Sequence, residues 1–360
     1  MILADGQAKK VAVVGAGICG SIAAWYAVRQ GFEVHVFEPD TNKSSCSYTA
    51  AGMLAPMAEL ESANDHIHQL GLESIVLWPS IIDALDEPVF HKDNGTLVVS
   101  HRQDEGAFNQ FVNCLKTKLG DHFSESCLLM DQQNLEPELK ELGRSLYLKN
   151  EAQVDAQQAL FALHSDLKKQ SNWHQKQVMN LQAGKVNDED FDWVFDCRGL
   201  AAKGEIKGLH GVRGEVITVQ APQVNIQRMV RVMHPRYRIY IVPRENHCYM
   251  IGATEIQSAD VGPISVRSTL ELLSAAFSVH PGFAEARILK LDTNARPATL
   301  DHQPFIEHEA GLSRINGLYR HGYLLAPSVV AKAFAQLGLD VTSDLKQNSS
   351  MEYRDHEHCI

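Results

Sequence analysis

The sequence lacks the features that would send it to a membrane, a nucleic acid or a disulfide-built scaffold. Its N-terminus, MILADGQAKK, has no cationic segment leading into an apolar core and a small-residue cleavage site. No apolar run approaches the roughly 18 residues that a membrane span needs, so a cytoplasmic location is the expectation. Positive charge is scarce: 33 Lys and Arg stand against 44 Asp and Glu, a formal net charge of −11. Phosphate-backbone binding needs a clustered basic surface. The nearest approach to one, Arg228, Arg231, Arg236 and Arg238, is interrupted by apolar residues at strand-like spacing, so nucleic acid is not expected as a partner. The 7 cysteines (Cys19, Cys46, Cys114, Cys127, Cys197, Cys248 and Cys359) are odd in number, scattered and never spaced C-x-x-C. Reduced thiols account for that more simply than a disulfide framework. Internal repeats and low-complexity linkers are missing too. What is there is an ordinary globular composition, 44% hydrophobic and 21% charged over 360 residues, long for one core and comfortable for two interlocked domains.

The periodicity is mixed. VAVV (11–14) and EVHVF (33–37) read as strands flanking a helix over 18–30, so the chain opens with a β-α-β unit. A small-residue loop, SSCSYTAAGMLAP (44–56), precedes a helix over about 66–84. Strands are predicted at 95–100, 145–149 and 192–196, with a helix over 156–170 between the last two. GEVITVQ, RIYIVPR and HCYMIGATE (214–255) form a β-rich stretch whose ENH turn predicts a hairpin. A helix over 265–278, a strand over 286–293 and a helix over 327–338 end the pattern, and a polar tail follows. Parallel-type units at both ends of an antiparallel-looking middle predict an α/β protein: a discontinuous nucleotide-binding domain (1–85, 145–210 and 290–345) with a second domain (86–144 and 211–289) inserted into it, and a tail over 346–360.

VVGAGICG places Gly15, Gly17 and Gly20 in G-x-G-x-x-G spacing between strand and helix, with Ala16, Ile18 and Cys19 between them. The first glycine suits the tight turn, the second a close approach of backbone to a pyrophosphate, and the third helix packing on strand. The pyrophosphate then lies at a helix N-terminus, where free N–H groups favour anions. Glu38, at the end of the second strand, suits the ribose hydroxyls of an adenosine and would repel a 2′-phosphate. This is a dinucleotide site, open to FAD or NAD. The metal-capable stretches DHIH (65–68) and DHEHC (355–359) have poor ligand geometry or lie in the tail, and no metal is expected.

Seven further stretches, in order along nearly the whole chain, resemble the D-amino-acid oxidase superfamily of FAD-dependent oxidoreductases, and within it the ThiO-type glycine oxidases. They are TAAGMLAP (49–56), EAQVDAQQAL (151–160), DWVFDCRGLAAK (192–203), GVRGEV (211–216), YIVPR with IGATE (240–255), ARPATLDHQPFI (295–306) and YRHGYLLAP (319–327). The resemblance implies a glutathione-reductase-type FAD domain, a substrate domain on a mainly antiparallel sheet, and non-covalent FAD, since no cysteine lies between Cys248 and Cys359 where relatives attach flavin. It implies that Ala50, Ala51, Gly52 and Met53 run along the flavin, that Val178 meets the adenine, that Gly199 lies in a turn beside FAD, and that the backbone of His321, Gly322, Tyr323 and Leu324 reaches the flavin's pyrimidine edge. Tyr240, Arg296 and Arg320 match the residues that hold a substrate carboxylate, which a guanidinium binds through two parallel N–H bonds. The implied activity is oxidation of glycine, sarcosine or a small D-amino acid to an imino acid, with dioxygen reduced to hydrogen peroxide and a possible place in thiamine thiazole biosynthesis. A dehydrogenase with another electron acceptor and a flavin-binding protein without activity are the alternatives, and the oligomeric state stays open, a homo-oligomer being one possibility. The chain departs from the family at Ala295, Leu318 and His321, beside the expected pocket. Arg198, Glu255 and His321 have no role that the sequence defines.

Overall fold

A computed structural model describes residues 9–39, 45–130, 135–139, 142–233 and 238–343. The polar tail over 346–360, with DHEHC, and Arg236 lie outside them. The chain opens with strand β1 (Lys10–Val14), helix α1 (Ile18–Arg29) and strand β2 (Glu33–Phe37). Helix α2 (Asp65–Asp83) starts at Asn64, whose side chain accepts the Ile67 N–H at 3.1 Å. Strand β3 (Thr96–Ser100), helix α3 (Glu105–Leu119), strands β4 (Cys127–Met130) and β5 (Ser145–Leu148), helix α4 (Ala156–Gln170) and strands β6 (Asn172–His174) and β7 (Trp193–Asp196) follow. The β-rich middle comprises β8 (His210–Gln220), β9 (Met229–Met233), β10 (Arg238–Arg244) and β11 (Cys248–Gly252). Helix α5 (Val266–Val279), strands β12 (Arg287–Ala298), β13 (Phe305–Glu309) and β14 (Leu312–Asn316), and helix α6 (Gly322–Gln336) come last.

Two sheets organise these elements. The first has 6 strands in the order β13-β14-β7-β1-β2-β6, parallel throughout except for the β13–β14 hairpin. The second has 8 strands, β12-β8-β11-β10-β9-β3-β5-β4, antiparallel except where β9 runs beside β3. The fold is therefore the mixed α/β type that the sequence implies, with a Rossmann-like first sheet and a mainly antiparallel second one. Helices α1, α2, α4 and α6 bury Ile22, Tyr26, Trp78, Leu160 and Phe334 in one core with the first sheet. In the second sheet the period of two divides the side chains. Val230, Val232, Ile239 and Ile241 face Leu272 and Ala276 of α5, whereas Met229, Met233 and Val242 face Phe108 and Phe111 of α3. The same alternation turns Arg231 and Tyr240, opposite each other in register, to the α3 side.

Four elements differ from the sequence reading. Strand β5, grouped by sequence with the nucleotide-binding part, pairs with β3 and β4 in the second sheet, and β12 pairs there with β8. A short apolar strand reads alike in either sheet; its pairing decides. Helix α3 has no counterpart in that reading, although Phe108, Phe111, Val112 and Leu115 are buried at helical spacing. Helix α6 begins at Gly322, well before 327. Pro327 has no N–H for the Tyr323 carbonyl one turn back, which would normally end or kink the helix. The Trp78 Nε1–H donates to that carbonyl instead, at 2.9 Å, and the helix continues through the proline.

Candidate active site

The glycine loop sits at the C-terminal edge of the first sheet. Gly15 has φ +90°, and a Cβ there would lie 2.8 Å from the Cys197 carbonyl oxygen; a Cβ on Gly20 would lie 1.8 Å from the Gly15 carbonyl oxygen. Both positions require glycine, the first for its conformation and the third because α1 rests directly on the loop. At Gly17 a Cβ would crowd the Ser45 and Ser47 hydroxyls, at 3.2 Å. The Ile18 N–H donates to Ser47 Oγ at 3.0 Å, while α1 has no capping side chain at Gly17 and no acid in its first turn. Glu38 accepts the Ala16 N–H, and burial pushes its carboxyl up against that hydrogen bond. Val178 packs with Phe37, Val186 and Phe191 at the same end of the sheet. Gly199, with φ +55°, follows Arg198, whose guanidinium pairs with Asp196 at 2.8 Å and Glu205 at 2.7 Å. Arg198 thus acquires a structural role: it neutralises the buried Asp196 at the end of β7.

His164 holds the loop from below. Its Nε2–H donates to the Ala16 carbonyl at 2.8 Å, beside the Ser21 hydroxyl at 3.0 Å, and burial pulls its pKa down to about 4. His321 is also buried and is likewise held down at about 4, burial outweighing the pull of Glu59. Both imidazoles are therefore neutral when folded and ordinary, near 6.5, when unfolded. Depressed pKa values of this kind give stability that is present above about 6.5 and lost as pH falls toward 4, each worth roughly a few kcal/mol. Glu151, pushed up to about 7 by burial, opposes them, since its contribution is lost as pH rises from 4.5. With two histidines against one glutamate, the melting temperature should fall as pH drops from about 6.5 to 4, with FAD fluorescence rising in parallel as cofactor is released. A flat profile over that range would contradict the neutral imidazoles.

Ile18, Ala50, Ala51, Gly52, Met53, Tyr240, Arg296, Arg320, His321, Gly322, Tyr323 and Leu324 line one cavity of about 640 Å³, between the glycine loop's helix and the second sheet. Gly15, Ala16, Gly17, Cys19, Gly20, Glu38, Val178 and Gly199 do not line it and sit along the sheet edge. Gly52, at φ +62°, has a reason of its own, because a Cβ there would lie 1.9 Å from the Val154 carbonyl oxygen. The first turn of α6 opens into the cavity with no side-chain cap and no acidic residue. Free N–H groups at the start of a 15-residue helix favour negative charge.

The two arginines in the cavity differ. Arg296, on β12, donates to the Thr254 carbonyl at 3.2 Å and lies over Gly214, where a Cβ would be 2.2 Å from Nη2. It forms no ion pair with a carboxylate among the described residues, and burial pulls its pKa down. Thr254 is itself fixed by Glu215, which accepts the threonine hydroxyl at 3.0 Å. Arg320, in contrast, is paired with a carboxylate at each terminal nitrogen: Nη2 reaches Glu59 at 2.5 Å and Nη1 reaches Glu255 at 3.0 Å. The buried Glu59 also lies 3.5 Å from the Tyr240 hydroxyl and 3.8 Å from His321 Nδ1. Burial disfavours its charge, but Arg320, His321 and Arg231 outweigh burial and hold it down at about 2. Arg231 is buried against Phe111 and bonded to Glu61 at 2.5 Å, so it belongs to the interior and not to a basic surface. Glu59, Thr254 and Cys46 all line the cavity and none was singled out by sequence. Gly214 carried a signal, as the second glycine of GVRGEV.

Among the described residues no helix is long and apolar enough to cross a membrane. A glycine-loop edge ready for a pyrophosphate, joined to a cavity that offers a helix N-terminus and small residues, fits a flavin dinucleotide end to end, and the class of protein so defined is an FAD-dependent oxidoreductase. The chain belongs to the DAO family, described as FAD dependent oxidoreductase, whose family model matches residues 10–337; FAD is its cofactor. It is 39% identical over 332 residues to a Rhizobium etli protein that carries the provisional name of thiamine biosynthesis oxidoreductase ThiO, covering 91% of this chain and 96% of that one. It is 25% identical to a glycine oxidase of Geobacillus kaustophilus over 345 residues, 88% of this chain and 89% of that one. The crystal structure of glycine oxidase from Geobacillus kaustophilus superposes with a TM-score of 0.77 at 23% identity, covering 92% of this chain and 94% of that one.

Proposed function

We propose that this protein oxidises glycine or another small amino acid to the imino acid and passes the electrons to dioxygen, giving hydrogen peroxide. The observation that carries the reading is Arg296: a half-buried guanidinium without a carboxylate partner among the described residues, in the same cavity as the open N-terminus of α6. Such a group offers paired N–H donors and an unbalanced positive charge to an incoming anion. In this reading Arg296 takes the substrate carboxylate through its paired N–H donors, Tyr240 adds a third donor, and Thr254 holds the guanidinium in place. Bound FAD supplies the ring that accepts the hydride from the substrate's Cα. Ala50, Ala51, Gly52 and Met53 give that ring a side-chain-poor wall, and the N–H groups of Gly322, Tyr323 and Leu324 favour negative charge at its edge. The Arg296 charge and the low-polarity walls favour a neutral amine over an ammonium. No general base is required, and the work of the chain is to position and desolvate. The similarity to a provisional ThiO and to glycine oxidases supports the same substrates and a role in making the thiazole of thiamine.

An anaerobic screen tests this directly. Glycine, sarcosine or a small D-amino acid should bleach the yellow holoprotein, air should restore the colour with release of peroxide, and acid precipitation should leave the flavin in solution. Failure of every small amino acid to bleach it would end the enzyme reading, and bleaching that only a dye can reverse would make it a dehydrogenase. Gly214→Ala offers a finer check: its new methyl group displaces the Arg296 guanidinium, a flexible side-chain end, so KM should rise on the order of tenfold with little change in melting temperature. An unchanged KM would separate Arg296 from the substrate.

A further inference from the structure

Resting on that reading, we infer that Glu59 and Glu255 set the charge of the substrate: they neutralise Arg320, so the cavity accepts an amino acid with one carboxylate and rejects one with a second anionic group. Two half-buried guanidinium groups face this cavity, and they are in opposite states. Among the described residues Arg296 has only a carbonyl, that of Thr254, as its hydrogen-bonded partner, whereas Arg320 is held by two carboxylates and by Ser62 Oγ at 2.5 Å. A second anion brought to Arg320 would therefore meet Glu59 and Glu255 as well, and like charges repel there, most strongly at the buried Glu59.

The two carboxylates are not equivalent. Glu59 is buried, close to Tyr240 and His321 as well as Arg320. Glu255 follows β11 at the cavity wall with its side chain 44% exposed, and it holds Arg320 through a single contact. It is the removable half of the clamp. Space lies behind it: a second hollow of about 130 Å³ shares Glu255, Tyr319, Arg320 and His321 with the main cavity, so the Arg320–Glu255 pair forms the wall between the two. The Arg320 Nε–H is also buried with no acceptor, so the guanidinium keeps a donor in reserve. Taking the charge from Glu255 would leave Arg320 with Glu59 alone and make that donor set available to a second anionic arm. Arg267, at the rim on α5, is exposed to solvent that screens it and does not substitute for Arg320.

The test uses the holoprotein and two unreactive probes, acetate and malonate, titrated at constant ionic strength while the flavin absorbance is followed. Wild-type protein should bind acetate better than malonate. In Glu255→Gln, and again in Glu255→Ala, malonate affinity should rise on the order of tenfold, the value of one charge-assisted hydrogen bond, while acetate moves less than about twofold. Glu271→Gln, which removes a charge from the cavity's lining without touching Arg320, should leave both affinities as they are. An unchanged malonate-to-acetate ratio in both Glu255 variants, or an equal gain in Glu271→Gln, overturns this inference and leaves the proposed function standing. Acetate that never perturbs the flavin, with or without Arg296, removes the carboxylate site and takes both readings with it.

Discussion

Replacing Arg296 by alanine should raise the KM for glycine on the order of 100-fold while FAD stays bound, because a bidentate, charge-assisted pair is worth about 3 kcal/mol. The effect should be selective. Among the described residues Arg296 forms no ion pair, and the side-chain hydrogen bond its loss would break is the one to the Thr254 carbonyl. Removing it also relieves a half-buried positive charge that no carboxylate balances, so the melting temperature should hold or rise. Turnover at saturating substrate should fall too, since a carboxylate anchored at one end fixes where Cα lies. Steady-state kinetics with a flavin-to-protein ratio for each variant read all three effects, and a KM within about threefold of wild type would remove Arg296 from the substrate's path.

Glu59→Ala acts on stability first. This buried carboxylate lies against Arg320 and close to His321 and the Tyr240 hydroxyl, and it helps to balance Arg231. Breaking a buried pair by deleting one partner leaves an uncompensated charge and costs about 3 to 5 kcal/mol; Arg320 keeps Glu255 and Arg231 keeps Glu61, which points to the lower figure. The melting temperature should drop by roughly 5 to 10 °C. Glu59→Gln, which keeps the acceptor oxygen but not the charge, should fall between the two. Because Glu59 titrates at about 2 when folded, its contribution is present above the ordinary carboxylate value of 4.5 and is lost only as pH falls below it. The difference between wild type and Glu59→Gln should therefore be constant at neutral pH and shrink in acid; a melting temperature unchanged by Glu59→Ala would mean that the two arginines do not depend on it.

The local elements were legible where chemistry forces a local choice. The β1-α1-β2 unit, the glycine loop, helix α4 and the β10–β11 hairpin lie where their periodicity and turn residues predict. Pairing was less legible. Nothing in SLYL says which sheet it joins, and nothing near Pro327 announces that Trp78, distant in sequence, will take the carbonyl that the proline leaves free. The site shows the same division. Arg296, Tyr240 and the stretch from Arg320 to Leu324 stood out by residue type and by resemblance, and they line one cavity. Glu59 did not stand out, because a glutamate in PMAE has no local mark, and its partner Arg320 is 261 residues away.

Sequence by itself determined the dinucleotide loop, the α/β class with an antiparallel second sheet, and the presence of guanidinium groups in apolar surroundings near the C-terminus. Those follow from backbone conformation, side-chain period and the cost of burying charge, which act over a few residues at a time. Tertiary structure alone decided which anion each guanidinium meets. Arg320, which stands in an apolar, aromatic run as though awaiting a ligand, finds Glu59 and Glu255 within the chain, and Arg296 is left without a carboxylate among the described residues. The physical reason is range: a charge in a poorly solvated interior is settled by whatever the fold brings within about 4 Å, and no pattern along the chain encodes that neighbour.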